Sequence, residues 1–394
     1  MESDWWKKIE DLEETFFTNN YELNEEELKK VISKMRELKG KIEIYQESLL
    51  RLGRLVDYNE LRKRGMSLDK IIQFYEEDKI IAEKAKKHLK EQKSQERNYM
   101  FGYPTNMTNE SSLISYLRWI ESQLFYINSC GTPYSSGNYK MARRDMEKEI
   151  ILKIINNLNL KSDEYWGYIT TGGTEGNLWG IREGFSQYPN GKLYFSKDTH
   201  YSVLKGVTIL PNNNYKIISS INGSINKEEL LEKILMDSNS SINGVIILLN
   251  YGTTALGSVD DAVWIINKIK EKNIPYYVHV DAALYGGIPK NQIDSPTNYL
   301  KKITGMGIDS ISISLHKYLG IPKTNGVLLA KSKINSKFID YIGQSDVTLC
   351  GSRDFLPYTT LQKIKEQYER SSDDDYSKNK IFFEKLLNEN NICY

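Results

Sequence analysis

From about residue 99 onward, short apolar runs alternate with longer stretches of helical period, and no other feature constrains the fold as much. "EYWGYITT" runs into Gly172-Gly173 and the helical "EGNLWGIREGFSQY", and "KLYFS" precedes "HYSVLKGVTIL". "INGVIILLNYGTT" precedes "DDAVWIINKIKEKN", "PYYVHVD" ends at Asp281, "SISIS" leads to a strand end at Lys317, and "NGVLLA" follows. Apolar runs of strand length separated by helical segments of about ten residues or more predict an α/β fold: a mostly parallel sheet with helices on both faces. Ligands of such sheets bind at the carboxyl ends of the strands, so the informative side chains are expected just after each strand.

The chain before this point has a different texture. Residues 3 to 98 are highly charged, with Leu28, Ile32, Met35 and Leu38 at helical spacings and Ser67 placed to cap a second helical stretch. This predicts a helical N-terminal extension over residues 1–98, a hairpin or small bundle. Its charge runs are solvated faces or, alternatively, a surface for a partner. The irregular "NYMFGYPTNMTN" marks the boundary with a large domain over 99–360, and a short helical C-terminal tail is expected over 361–394.

Composition excludes several function classes. The 53 Lys and Arg residues are balanced by 52 Asp and Glu, which leaves no global basic field for nucleic acid. Cys130, Cys350 and Cys393 are odd in number and widely spaced, which fits neither a disulfide framework nor a CxxC metal site and suits a reducing compartment. The opening "MESDWWKKIEDLEE" is acidic and amphipathic, and no window approaches the apolar length of a membrane span. The expectation is a cytoplasmic protein without bound metal, nucleic acid or membrane.

Four strand-end motifs carry the chemistry, and each has a bland reading beside it. In "TTGGTEGN", Gly172 and Gly173 turn the chain into a helix whose free N–H groups and positive dipole end suit an anion, with Thr174 adding a hydroxyl; an ordinary strand-to-helix turn also uses glycine. Asp281 in "VHVDAALYGG" is either a helix cap or the salt-bridge partner of a cationic ring nitrogen, with Ala282 and Ala283 leaving room for a flat ligand. His200 in "SKDTHYS" is a structural histidine or one that stacks on a ring. Lys317 in "SISLHKYLG" is costly to bury when charged, so it pairs, snorkels, or loses its proton and becomes a nucleophile toward carbonyls; His316 beside it is a core histidine or a ligand-binding one. Taken together and in this order, an anion cradle, a stacking imidazole, an acid and a strand-end lysine are the parts that pyridoxal 5'-phosphate requires.

From about residue 101 to 360 the chain resembles the pyridoxal-phosphate-dependent group II amino acid decarboxylases, in the branch of histidine and serine decarboxylases. The stretches that carry the resemblance are "GYP" at 102–104, "INSCG" at 127–131, "WGYITTGGTEGN", "YFSKDTHYSV", "GTTALGSVDD", "HVDAAL", "IDSISISLHK" and "GSR" at 351–353. The resemblance implies the PLP-dependent transferase fold type I, with a mostly parallel seven-stranded sheet. It implies a Schiff base through Lys317, with Asp281 as the pyridinium partner and His200 stacked over one ring face. Ala283 would pack on the other face. Gly173, Thr174, Ser314 and His316 match phosphate-holding positions, and Thr254 falls near the ring hydroxyl. It further implies decarboxylation of an L-amino acid, histidine or serine, to the amine and carbon dioxide, and a homodimer in which Gly351-Ser352 reaches the neighbour's site.

Three departures qualify the resemblance. Leu315 stands where the family carries glycine, Asp354-Phe355-Leu356 replaces Asn-Gly-His, and the C-terminal small domain is shortened. A cofactor-binding interaction protein with impaired catalysis, or another lyase or desulfurase, is the alternative.

Overall fold

The computed structural model describes residues 143–209, 214–238, 242–288, 300, 302–331, 338–369 and 374–390, together with 129–135, 138 and isolated positions between 84 and 121. The chain separates into two units, Met1–Tyr103 and Pro104–Tyr394, a division that falls inside the irregular segment. Apart from helical positions 84, 87, 88 and 91, the expected N-terminal helices lie outside the described residues. Everything that follows belongs to the second unit.

In chain order the elements are α1 (Arg143–Asn157), β1 (Trp166–Thr170), α2 (Gly173–Gln187), β2 (Lys192–Ser196), α3 (Ser202–Ile209) and β3 (Tyr215–Ile218). Next come the two-residue strands β4 (Ser220–Ile221) and β5 (Ser224–Ile225), then α4 (Lys227–Ser238), β6 (Val245–Asn250), α5 (Ala262–Glu271) and β7 (Tyr276–Asp281). The chain continues through β8 (Ser310–Ser314), β9 (Gly326–Ala330), β10 (Phe338–Ile339), β11 (Gln344–Ser345), α6 (Pro357–Glu369) and α7 (Asp374–Glu389).

Seven strands form one sheet in the order β1-β9-β8-β7-β6-β2-β3. All pairings are parallel except those of β9, which runs antiparallel to both β1 and β8. The connection from β8 to β9 is too short for a helical crossover, so β9 can only return antiparallel. This agrees with the mostly parallel sheet expected from the sequence.

Burial on both faces explains why the central strands read as continuous apolar runs. In β6, Val245, Ile247 and Leu249 join the main core with Ile150 and Ile154 of α1 and with Ile265, Ile266 and Ile269 of α5. Its alternate residues Ile246 and Leu248 face the other way, onto Ile181 of α2 and Val203 and Val207 of α3. Helix α5 begins where the Asp261 carboxylate accepts the Trp264 N–H at 3.1 Å, an N-cap.

One expectation is corrected. β8 ends at Ser314, so Lys317 lies three residues beyond the strand rather than at its end. The reason is a tight turn: Leu315 N–H bonds Asn325 O, Ile321 N–H bonds Leu315 O, and Gly320 N–H bonds Lys317 O, with Gly320 at a φ of 64°. Leu315 is fully buried in the main core.

Candidate active site

Helix α2 lies unusually close to the sheet because four glycines line its inner face. A methyl group at Gly173 would come within 2.9 Å of Ser314 Oγ and 3.0 Å of Ala283 Cβ, and one at Gly176 within 2.3 Å of Ser312 Oγ. At Gly180 it would strike the His279 ring at 2.2 Å, and at Gly184 Ile246 at 2.6 Å. Glycine inside a helix costs roughly 0.5–1 kcal/mol each, and here close approach is what it permits.

The sheet answers this glycine stripe with polar side chains. Strand alternation sends Tyr277, His279 and Asp281 of β7 and Ser310, Ser312 and Ser314 of β8 toward one face. The register places His279 beside Ser310 and Asp281 beside Ser312. Ser312 donates to Gly173 O at 3.0 Å and so ties the start of α2 to the sheet.

Asp281 is the centre of the arrangement. Its carboxylate is 6% exposed and accepts Asn177 Nδ2–H at 2.6 Å and the Ala283 N–H at 3.0 Å. Asn177 also donates to Ser202 Oγ at 3.0 Å, and Ser202 lies 2.9 Å from His200 Nδ1 through its hydroxyl and 3.2 Å through its backbone N–H. Asp281 and His200 are thus joined through Asn177 and Ser202, and both lie close enough to Lys317 to interact with it electrostatically.

Electrostatics couples these groups. Burial lowers the Lys317 ammonium below its ordinary range while the Asp281 carboxylate opposes the shift, so the amine loses its proton more readily than an exposed lysine. Burial also lowers His200, against Asp281 and with the help of Lys317 and Lys205. His316 is lowered by burial, a shift opposed by its 2.9 Å contact with Asn325 O. Both histidines are thereby biased toward the neutral ring.

The remaining predicted residues fall as follows. Gly173 is buried and Thr174 half-buried in the first turn of α2, whose leading N–H groups have no intrahelical acceptor. Thr254 is exposed in the turn after β6, whereas its neighbour Thr253 is buried and accepts the Ser258 N–H at 2.9 Å. Gly351 and Ser352 are both exposed, on a segment docked to α2 by Trp179 Nε1–H donating to Val347 O at 2.8 Å and by Glu175 accepting Cys350 N–H at 3.3 Å. Among the described residues there is no cluster of His, Cys, Asp and Glu that could hold a metal.

Sequence reasoning missed Asn177, Ser202, His279 and Ser310. The signals were the glycines at 173, 176, 180 and 184 on one helix face, and the period-two polar residues in "YVHVD" and "SISIS".

A model of the pyridoxal-dependent decarboxylase conserved domain matches residues 187–353. Histidine decarboxylase of Solanum lycopersicum is 36% identical over 293 residues, covering 71% of this chain and 68% of that one. Histidine decarboxylase of Pseudomonas entomophila is 37% identical (65% and 62% covered), and serine decarboxylase 2 of Oryza sativa subsp. japonica 35% identical (67% and 56%). The chain thus spans about three fifths of the length of these relatives. Among solved structures, L-methionine decarboxylase from Streptomyces sp. 590 superposes with a TM-score of 0.60 at 21% identity, covering 74% of this chain and 75% of that one, a likeness of fold.

The cofactor of such proteins is pyridoxal 5'-phosphate, and the residues present fit it. Gly173 brings the first turn of α2 close against Ser314 Oγ and Ala283 Cβ, so that the free N–H groups of that turn and a serine hydroxyl lie together, donors of the kind a phosphate needs. A buried carboxylate and a desolvated amine stand ready for the ring nitrogen and the carbonyl. On this fold, this site and these relatives, the chain belongs to the pyridoxal-dependent decarboxylase family.

Proposed function

We propose that the protein decarboxylates an L-amino acid, histidine or serine, with pyridoxal 5'-phosphate held by Lys317. The observation that carries this reading is the meeting of a desolvated lysine, a buried carboxylate and an imidazole beside a glycine-lined helix N-terminus. The relatives named above, histidine and serine decarboxylases, support the substrate class.

When bound, the cofactor supplies an electron sink for the pair released as the α-carboxylate leaves. The chain's residues do the rest. Lys317, biased toward its neutral form, supplies the nucleophilic amine and a site for proton exchange. Asp281, held by Asn177 and the Ala283 N–H, keeps a negative charge where a protonated ring nitrogen would sit. His200 and Ala283 would flank the ring on its two faces, while Gly173, Thr174, Ser314 and His316 would hold the phosphate. Thr254 is assigned to the neighbourhood of the ring hydroxyl.

The departure at Leu315 does not weigh against the reading, because that side chain is fully buried in the main core with Ile311 and Ile313, away from Ser312 and Ser314. A cysteine-based desulfurase is disfavoured: burial and the Glu175 carboxylate push the Cys350 thiol up, away from the thiolate such chemistry needs. We further assign a homodimer, with the exposed Gly351-Ser352 reaching a second copy, a cytoplasmic location, and the division of the chain at 98 and 360.

The test is the absorption spectrum of the purified chain with pyridoxal phosphate, wild type against Lys317→Ala, followed by carbon dioxide release from a panel including histidine and serine. A lysine-dependent band with release from one substrate is expected. A band without release would leave a cofactor-binding protein, and no band would overturn the assignment.

A further inference from the structure

Behind Asp281 and Asn177 lie three buried side chains that the proposed chemistry does not use, His279, Ser310 and Tyr277. Asn177 Nδ2 is 2.6 Å from Asp281 Oδ2, and because a carboxylate only accepts, this contact fixes which end of the amide is nitrogen. Asn177 Oδ1 is then the atom 3.0 Å from His279 Nε2, and it must receive a proton from that ring. His279 is fully enclosed and held neutral, its pKa lowered to about 3 by burial, so its Nδ1 is bare and accepts from Ser310 Oγ at 2.7 Å. With the Ser310 proton so used, the Tyr277 hydroxyl at 2.7 Å donates to Ser310.

The second amide proton of Asn177 goes to Ser202 Oγ at 3.0 Å, which leaves the Ser202 hydroxyl proton for His200 Nδ1 at 2.9 Å. The Ser202 N–H points to the same nitrogen at 3.2 Å. Every donor in the series from Tyr277 to His200 thus has one direction. Reversing it would set Asn177 Oδ1 against the Asp281 carboxylate.

We propose that His279 is a positioning residue: held in its Nε2–H form between Ser310 and Asn177, it sets the amide of Asn177, and through it the carboxylate of Asp281 and the Nε2–H form of His200. The inference rests on Asp281 and His200 being the groups that meet the cofactor. The four histidines of the chain make it directly measurable.

Nitrogen NMR of protein labelled with 15N-histidine, without cofactor at neutral pH, reads ring tautomers, with the His279 signals identified by their loss in His279→Gln. Single Nε2–H forms are expected for His279 and His200; an Nδ1–H form or a cation at His279 overturns the proposal. Ser310→Ala is expected to keep His279 in the Nε2–H form, because Asn177 Oδ1 still requires that proton, while the Nδ1 resonance moves downfield with the loss of its donor; an Nδ1–H form or an unmoved Nδ1 resonance counts against the relay.

His279→Leu removes the donor to Asn177, while His279→Gln can still present an amide N–H to it. Cofactor affinity, read by absorbance titration, is expected to fall about tenfold or more in His279→Leu and to recover within about threefold in His279→Gln. Equal losses in the two would reduce His279 to a packing role. Should His279→Leu fail to fold, the wild-type and Ser310→Ala spectra still decide. None of these readouts needs decarboxylation, so a failed substrate assignment and a failed relay are told apart.

Discussion

Two buried polar clusters flank β1 and α2, and they are built to opposite ends. In the first, Arg353 and Glu147 form an ion pair with both side chains at most 2% exposed. Arg353 also donates to Ile169 O at 2.9 Å and Gly131 O at 2.7 Å, while Glu147 accepts the Ile169 N–H at 2.8 Å. Charge is cancelled in place and the backbone is satisfied. In the second, the hydrogen-bond donors to Asp281 are neutral, an amide side chain and a backbone N–H, and the nearby amine is pushed toward neutrality. A carboxylate held by neutral donors keeps its charge for an incoming cation, whereas one paired with arginine does not. The contrast separates a cluster that is closed on itself from one whose carboxylate has no cationic hydrogen-bond donor among the bonds described.

The sharpest way to break the contrast is at one residue of each cluster, Lys317 and Glu147. Lys317→Ala should abolish carbon dioxide release while leaving the thermal midpoint within a few degrees of wild type, since it removes a desolvated amine rather than a partnered one; a collapse of stability would show Lys317 to be structural. Glu147→Ala should do the reverse, lowering unfolding free energy by about 3–5 kcal/mol because the buried Arg353 guanidinium loses the carboxylate that offsets its charge. Chemical denaturation measures it, and a loss under about 1 kcal/mol would mean that the pair is not truly closed.

Proton titration sharpens the comparison further. His279 is lowered in the folded protein to about 3 from an ordinary 6.5, so between those values the unfolded chain binds the extra proton. Its contribution to stability is complete above pH 6.5 and is lost as pH falls toward 3, at about 1.4 kcal/mol per pH unit. The pH dependence of the denaturation midpoint should therefore flatten in His279→Gln over this window. Asp309 works in the opposite sense: burial raises it to about 6, so its ionisation removes stability as pH climbs from 3.8 to about 6.

Smaller effects are expected at the cradle. Gly173→Ala crowds Ser314 Oγ and Ala283 Cβ and should weaken cofactor binding by about tenfold, or about 1.4 kcal/mol, with little change in unfolding free energy. Thr254→Ala, in an exposed turn, should lower cofactor affinity by only about two- to threefold; no change at all would remove Thr254 from the neighbourhood of the ring hydroxyl.

The sequence made the central strands legible because both their faces are buried and no polar residue interrupts runs such as "VIILL". Asp281 and His200 were legible for a second reason, that each stands just past an apolar run where ligands of parallel sheets bind. Lys317 was read one turn too early, because nothing local distinguishes "SISISLHK" as a strand of five residues and a turn from a strand of eight. The relay from Tyr277 to Asn177 could not be read locally at all. It depends on the β7–β8 register and on a helix approaching over four glycines, and register is set by partners far away in the chain.

The insertion of β9 between β1 and β8 has a consequence for the order in which the molecule is made. Trp166 pairs with Ala330, so the strand that launches the cradle has no lateral partner until nearly the whole second unit has left the ribosome. At synthesis rates of about 5–20 residues per second, that leaves β1 waiting for on the order of ten seconds or more. For much of this interval the start of α2, where Gly173 and Gly176 pack on Ser314 and Ser312, has neither β8 nor β9 to rest on, although Gly180 and Gly184 already have β7 and β6. The cradle is therefore among the last parts of the nascent chain to close, and a chain that stops before Gly326 should fail to retain its cofactor.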